Sequence, residues 1–186
     1  GSLYPEIAAG RPPALPEPAL RYTDAVAWQR ERLAGPEGER LWAWWQERLA
    51  GELPTLGLRT DRPRPMVQTY RGATCSRTLA PGLTSGLREL GRRRQCTPFV
   101  TLAAAFEVLL HRVTGDGDLL LGTVTHGRSD AALARVVGYF IDALVLRAGF
   151  AGDPPFAAFL DAARQDVLGA FEHQGLPFPL LVERLQ

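Results

Sequence analysis

Lysine and asparagine are missing from the 186 residues, and isoleucine occurs only at positions 7 and 141. These three residue types share AT-rich codons, so their shortage reflects GC-rich coding. All 21 basic residues are therefore arginine by codon usage, not by selection for phosphate binding. The lack of lysine removes Schiff-base chemistry from the chain. Cysteine is scarce: Cys75 and Cys96 have no metal-ligand spacing and read as free thiols in a reducing compartment. No apolar run approaches the ~20 residues of a membrane span. No charged-then-apolar leader opens the chain, so a cytoplasmic location with no membrane partner and no metal is expected. Charge of one sign is not in excess. With 20 acidic residues the net charge is +1, which argues against nucleic acid as a partner.

What is present is a globular composition: 46% hydrophobic and 22% charged. Gly1-Ser2 reads as a cloning scar, and Pro5, Pro12, Pro13, Pro16 and Pro18 predict an extended lead-in over 1–21. From Tyr22 the pattern turns helical, with Leu41, Trp42, Trp45, Arg48 and Leu49 on one side. Residues 54–68 read as a proline-rich surface loop. Alternation over 70–79 predicts a strand. Pro81 opens a helix striped by Leu83, Leu87 and Leu90. Thr97 caps another, whose expected apolar face is Phe99, Leu102, Ala103, Phe106, Leu110 and Val113, closed by Gly115. The apolar runs 118–125 and 139–146 predict strands covered on both faces. A last long helix starts near Asp153-Pro154, and a turn at Gly175-Leu176-Pro177 leads to a short segment, 180–185. The order of elements gives the class α/β.

Candidate chemistry is sparse. His111 and His173 lie near helix C-termini, where the dipole favours a cation, and His126 follows an apolar strand in a loop. Asp142 interrupts the apolar run 139–146. Either it faces a cleft or caps backbone, or its strand lines a functional tunnel. Arg92, Arg93 and Arg94 read as a solvated helix end, and Trp42, Trp44 and Trp45 as packing. There is no Gly-x-Ser-x-Gly elbow, P-loop or dinucleotide fingerprint.

Three stretches add a resemblance. Residues 22–29 (YTDAVAWQ) resemble the YxDYAxWQ motif of nonribosomal peptide synthetase condensation domains, through Tyr22, Asp24, Trp28 and Gln29. Residues 137–147 (VGYFIDALVLR) resemble their (I/V)GxFVNTxxxR motif, through Val137, Gly138, Phe140 and Arg147. Residues 173–178 (HQGLPF) resemble HQD(Y/L)PF, through His173, Gln174, Pro177 and Phe178. Linking text around Asp61-Arg62-Pro63, Tyr70-Arg71-Gly72 and Gly122 to Arg128 is similar too. The motifs stand in the family's order and the resemblance runs from Leu3 onward.

The resemblance implies one lobe of a chloramphenicol acetyltransferase-like two-lobe fold, a mixed sheet flanked by helices, with 22–186 as a partial C-terminal lobe. It implies a tunnel entered by phosphopantetheine arms on upstream and downstream carrier proteins, with no bound cofactor. The amine of one aminoacyl group attacks the other thioester. Asp142, Gly138, Tyr139, His126, His173 and Gln174 are the expected tunnel-lining or motif residues, and Arg128 and Arg147 the structural arginines. The family's HHxxxDG signature is absent, so no catalytic residue is assigned and the chain alone is expected to be inactive. The missing first lobe and adjacent synthetase domains are expected partners, and uncovered faces are expected to promote self-association. The family's Asn-Thr pair reads Asp142-Ala143, and its Asp after His-Gln reads Gly175. These departures leave a second function open: a non-catalytic condensation-like module that recruits carrier or tailoring proteins.

Overall fold

The computed structural model describes residues 3–12, 20–63, 65–128 and 130–185. A short helix, α1 (Leu3–Ala8), stands in the expected extended lead-in. Pro5 is tolerated there because it lies in the first turn, where amide donors have no helical partner. Pro13, Pro16 and Pro18 lie outside the described residues. Helix α2 (Tyr22–Ala34) and helix α3 (Pro36–Arg48) replace one continuous helical region. Gly35 is extended and Pro36 takes the first helical position, so the chain breaks and restarts.

The expected strand over 70–79 does not form. These residues are exposed, and among the described residues no strand lies beside them to complete a ladder. Helix α4 (Pro81–Arg93) follows, then α5 (Pro98–Thr114). The Thr97 hydroxyl accepts the Val100 amide at the start of α5, and Gly115 closes it in the left-handed region at φ +79°.

Helix α5 buries a different face from the one expected. Val100, Thr101, Ala103, Ala104, Glu107 and Leu110 point inward, while Phe99, Leu102, Phe106 and Val113 are exposed. The helix is apolar nearly all round, so periodicity alone does not choose the side. Small residues at 101, 103 and 104 let the neighbouring elements approach closely.

Strand β1 (Asp118–Thr125) pairs antiparallel with β2 (Asp142–Gly149), Asp118 opposite Gly149 and Thr125 opposite Asp142. Among the described residues the expected mixed sheet is this antiparallel pair. The second run also begins later than expected: Tyr139 and Ile141 are exposed and precede the strand. Nor are both faces covered. Leu144, Leu146 and Ala148 are buried and alternate with half-buried residues, as in a sheet packed on one side.

Helix α6 (Phe156–Glu172) covers that side through Phe159, Leu160, Ala163, Val167 and Ala170. The segment at 180–185 belongs to helix α7 (Phe178–Leu185), which lays Leu181 on the same core. Leu41, Trp45 and Leu49 complete it from α3. A smaller cluster of Ala25, Leu133 and Val136 joins α2 to the 3₁₀ turn Ala131–Arg135.

Candidate functional site

The three motif stretches, 22–29, 137–147 and 173–178, meet around one cavity of about 430 Å³. Tyr22, Trp28 and Gln29 line it from α2, and Tyr139, Phe140 and Asp142 from the approach to β2. Gln174, Gly175 and Pro177 line it from the α6–α7 turn. Thr125 and Gly127 line it from the end of β1.

Two glycines make the closure possible. A Cβ on Gly138 would lie 2.2 Å from the Tyr22 ring, so the first motif rests directly on the second. The Tyr22 hydroxyl donates to the Tyr139 carbonyl at 2.9 Å, and its ring meets Phe140 edge-on at 5.3 Å. Gly127 has φ +60°, and a Cβ there would fall 1.8 Å from the Phe140 carbonyl oxygen.

Asp142 both lines the cavity and caps backbone. Its Oδ1 accepts the Phe178 amide at 3.1 Å and the Ala143 amide at 2.9 Å. Phe178 is the first residue of α7, so the carboxylate sits where the helix dipole favours negative charge. Gln174 is held by Thr125, whose hydroxyl donates to Gln174 Oε1 at 2.6 Å. Arg32 and Glu37 also line the cavity and form a two-bond ion pair. The Arg32 hydrogen bonds are the main cause that holds the Glu37 carboxyl below its usual range.

The other expected residues lie outside this lining. Gly138 packs beneath Tyr22. His126 is exposed, and its Nδ1 accepts the Arg128 amide at 3.0 Å. His173 stacks on Trp44 with centroids 4.3 Å apart, its Nδ1 lying 2.8 Å from the Gly169 carbonyl. Its own carbonyl accepts Trp45 Nε1–H. Asp24 accepts the Arg21 amide ahead of α2. His111 stacks on Phe150 at 4.1 Å, and Arg92 and Arg93 pair with Glu89 at the end of α4. Arg94 instead reaches Asp161 on α6.

Arg128 and Arg147 each gather several acceptors. Arg128 donates to the Leu133 and Val136 carbonyls and lies over the Phe140 ring at 4.1 Å. Arg147 forks onto Asp118 and donates to the Arg48 and Ala50 carbonyls, tying β2 to β1 and to the end of α3. Its hydrogen bonds are the main cause that lowers the Asp118 carboxyl.

A second cavity of about 480 Å³ shares Arg147 with the motif stretches; Trp44, Arg48, Glu107, Phe159 and Asp166 are among its other lining residues. Glu107 is 3% exposed, and its Oε2 has no hydrogen-bond partner among the described residues. Burial is the main cause that pushes this carboxyl up to about 7; the Asp166 charge adds to the shift and Arg48 opposes it. Burial also raises Asp166, against its ion pair with Arg48 and the Arg147 amide. The signal for this cluster was a single acid in the apolar run 102–110, the same kind that singles out Asp142.

Among the described residues no group of three acidic, histidine or cysteine side chains could hold a metal ion, and no single helix is long and apolar enough to cross a membrane.

The family model described as the condensation domain matches residues 1–186. Chondramide synthase cmdD of Chondromyces crocatus is 39% identical over 185 residues, which is 100% of this chain and 5% of that protein. The solved X-domain from teicoplanin biosynthesis matches with TM-score 0.89 and 26% identity, over 99% of this chain and 42% of that one. That X-domain is also solved in complex with OxyB. The condensation domain of the monacolin K polyketide synthase MokA matches with TM-score 0.80 and 25% identity, over 97% of this chain and 42% of that one. The chain therefore spans about two-fifths of those solved domains and a small part of the synthase. By sequence and by fold, this chain belongs to the condensation-domain family.

Proposed function

We propose that this chain is the second-lobe part of a domain that joins two carrier-bound substrates through an amide bond in nonribosomal peptide synthesis. The observation that carries the reading is the meeting of all three motif stretches at one cavity of about 430 Å³. In this reading, upstream and downstream carrier proteins deliver phosphopantetheine arms to the cavity's surroundings. The amine of one arm attacks the thioester carbonyl of the other. A C–N bond forms, the C–S bond breaks, and the proton lost by the amine ends on the departing thiol. Amines are nucleophilic and thioesters activated, so alignment of the arms and stabilisation of the oxyanion supply much of the acceleration. No two histidines are adjacent in this sequence, so the family's HHxxxDG segment is not supplied by these residues.

The test mixes the chain with loaded donor and acceptor carriers and follows product by mass spectrometry. The expected result is no turnover above the carriers alone, and turnover once a first lobe bearing HHxxxDG is added. Continued silence with a folded, bound first lobe would overturn the reading.

A second reading is favoured by the match to the X-domain and by Asp142-Ala143 and Gly175 in motif positions. There the chain is a docking module for a tailoring enzyme. Co-purification with a tailoring enzyme, with no product from the two-lobe assembly, is the outcome that selects it.

A further inference from the structure

Gln174 stands apart from the other polar residues of the motif cavity because its orientation is set. The Thr125 hydroxyl has one proton, and the 2.6 Å contact places it on Gln174 Oε1. The Thr125 oxygen receives the Gly127 amide at 3.4 Å. The reverse orientation of the Gln174 amide would aim one of its N–H groups at Thr125 Oγ1, beside the Gly127 amide already there. It would leave the hydroxyl proton without an acceptor among the described residues. Thr125 is 5% exposed, so water does not compete for this bond.

The carbonyl end of Gln174 is thereby committed, and the NH₂ end has no partner among the described residues. Several polar neighbours in the lining are already engaged, while the Gln29, Arg40 and Glu172 side chains make no hydrogen bond among the described residues. Asp142 Oδ1 takes two amides, Arg32 and Glu37 satisfy each other, and the Tyr22 hydroxyl goes to the Tyr139 carbonyl. An NH₂ group donates only, so its complement is an oxygen acceptor.

We infer that Gln174 is a ligand-binding residue whose NH₂ group donates to a carbonyl oxygen of the bound substrate, and that Thr125 is the positioning residue that fixes its direction. The substrate class rests on the reading under Proposed function: an acyl thioester on a pantetheine arm. That class offers two carbonyl sources, the thioester and the amides of the arm.

The sequence makes the test clean. With no asparagine, side-chain carboxamide NH₂ signals come only from the seven glutamines. In ¹⁵N-labelled protein the Gln174 pair is assigned by its loss in Q174E. S-acetylpantetheine, S-ethylpantetheine and N-methylacetamide are titrated separately. The expected result is a saturable shift of the Gln174 pair with S-acetylpantetheine. A matching shift with S-ethylpantetheine assigns the arm amides, and its absence assigns the thioester carbonyl. T125S retains the shift. T125V weakens apparent affinity about three- to tenfold, the loss expected for one neutral hydrogen bond. A shift with N-methylacetamide alone keeps the donor and sinks the carrier-substrate reading. A Gln174 pair that all three probes leave unmoved, or that responds equally in T125V and wild type, overturns the inference.

Discussion

At the residue scale, Glu107 and Asp142 are acids in apolar runs with different fates. Glu107 is buried beside Asp166, and its carboxyl is raised from 4.5 to about 7. Folding therefore favours its protonated form. The stabilisation is complete below about 4.5 and is lost as pH rises through about 7. A shift of this size corresponds to about 3 kcal/mol. Glu37 and Asp118 are shifted down, so their contribution holds above the ordinary carboxylate range and is lost only in acid. Asp166, also raised by burial, acts in the same direction as Glu107, so urea midpoints should fall as pH rises from 5 to 8. Glu107→Gln should flatten that slope; an equal slope in wild type and variant would falsify the assignment. Asp142 accepts amides at the start of α7, which an asparagine carbonyl also can. Asp142→Asn should keep the melting temperature within a few degrees, whereas Asp142→Ala should cost about 1 kcal/mol as a lost cap. A larger loss in Asn than in Ala, read by thermal unfolding, would show that the charge carries the contact. The sequence reading marked Asp142 as out of place and passed over Glu107, although both interrupt apolar runs. It did not tell which faces α7 and which faces Asp166, because those partners lie 36 and 59 positions away.

At the element scale, strand β1, both long helices α5 and α6, and the caps of α5 were legible in hydrophobic spacing and turn chemistry. The misreadings share a cause. Residues 70–79 alternate like a strand, yet a strand forms only where another offers its ladder. Helix α5 carries apolar residues on two faces, and the packing of α6 and β1 decides between them. Contacts across elements were likewise out of reach. Arg147 ties β2 to Asp118 on β1 and to carbonyls at the end of α3. Its side chain is 18% exposed and that of Asp118 40%, so solvent screens part of the pair. Arg147→Ala should cost about 2 kcal/mol, with lysine rescuing only part because it lacks the fork. Guanidinium melts of the three proteins check the order, and a lysine variant as stable as arginine would remove the geometric argument. Gly138→Ala should also destabilise, by about 1–3 kcal/mol, because its methyl meets the Tyr22 ring. Combining it with Tyr22→Ala should recover part of that loss; additive costs would mean the two do not press on each other.

At the scale of the whole molecule, α4 and α5 leave a broad apolar surface open. Leu83, Leu102, Phe106, Leu109 and Val113 are all exposed. Leu102, Phe106, Leu109 and Val113 recur at helical spacing on one face of α5, and an exposed apolar face drives association. Light scattering should report a mass that climbs with concentration, and Leu102→Glu with Leu109→Glu should return it to the monomer. A wild-type mass that stays monomeric at high concentration would show that this surface is tolerated in water. The packing of α3 has an optical consequence. Three of the four tryptophans, at 42, 44 and 45, ride on that one helix, and Trp45 is sealed in the core with its N–H on the His173 carbonyl. Intrinsic emission therefore reports chiefly on whether α3 is seated against the α6–α7 turn. Undocking of that helix will redden the spectrum before any added dye or label is needed.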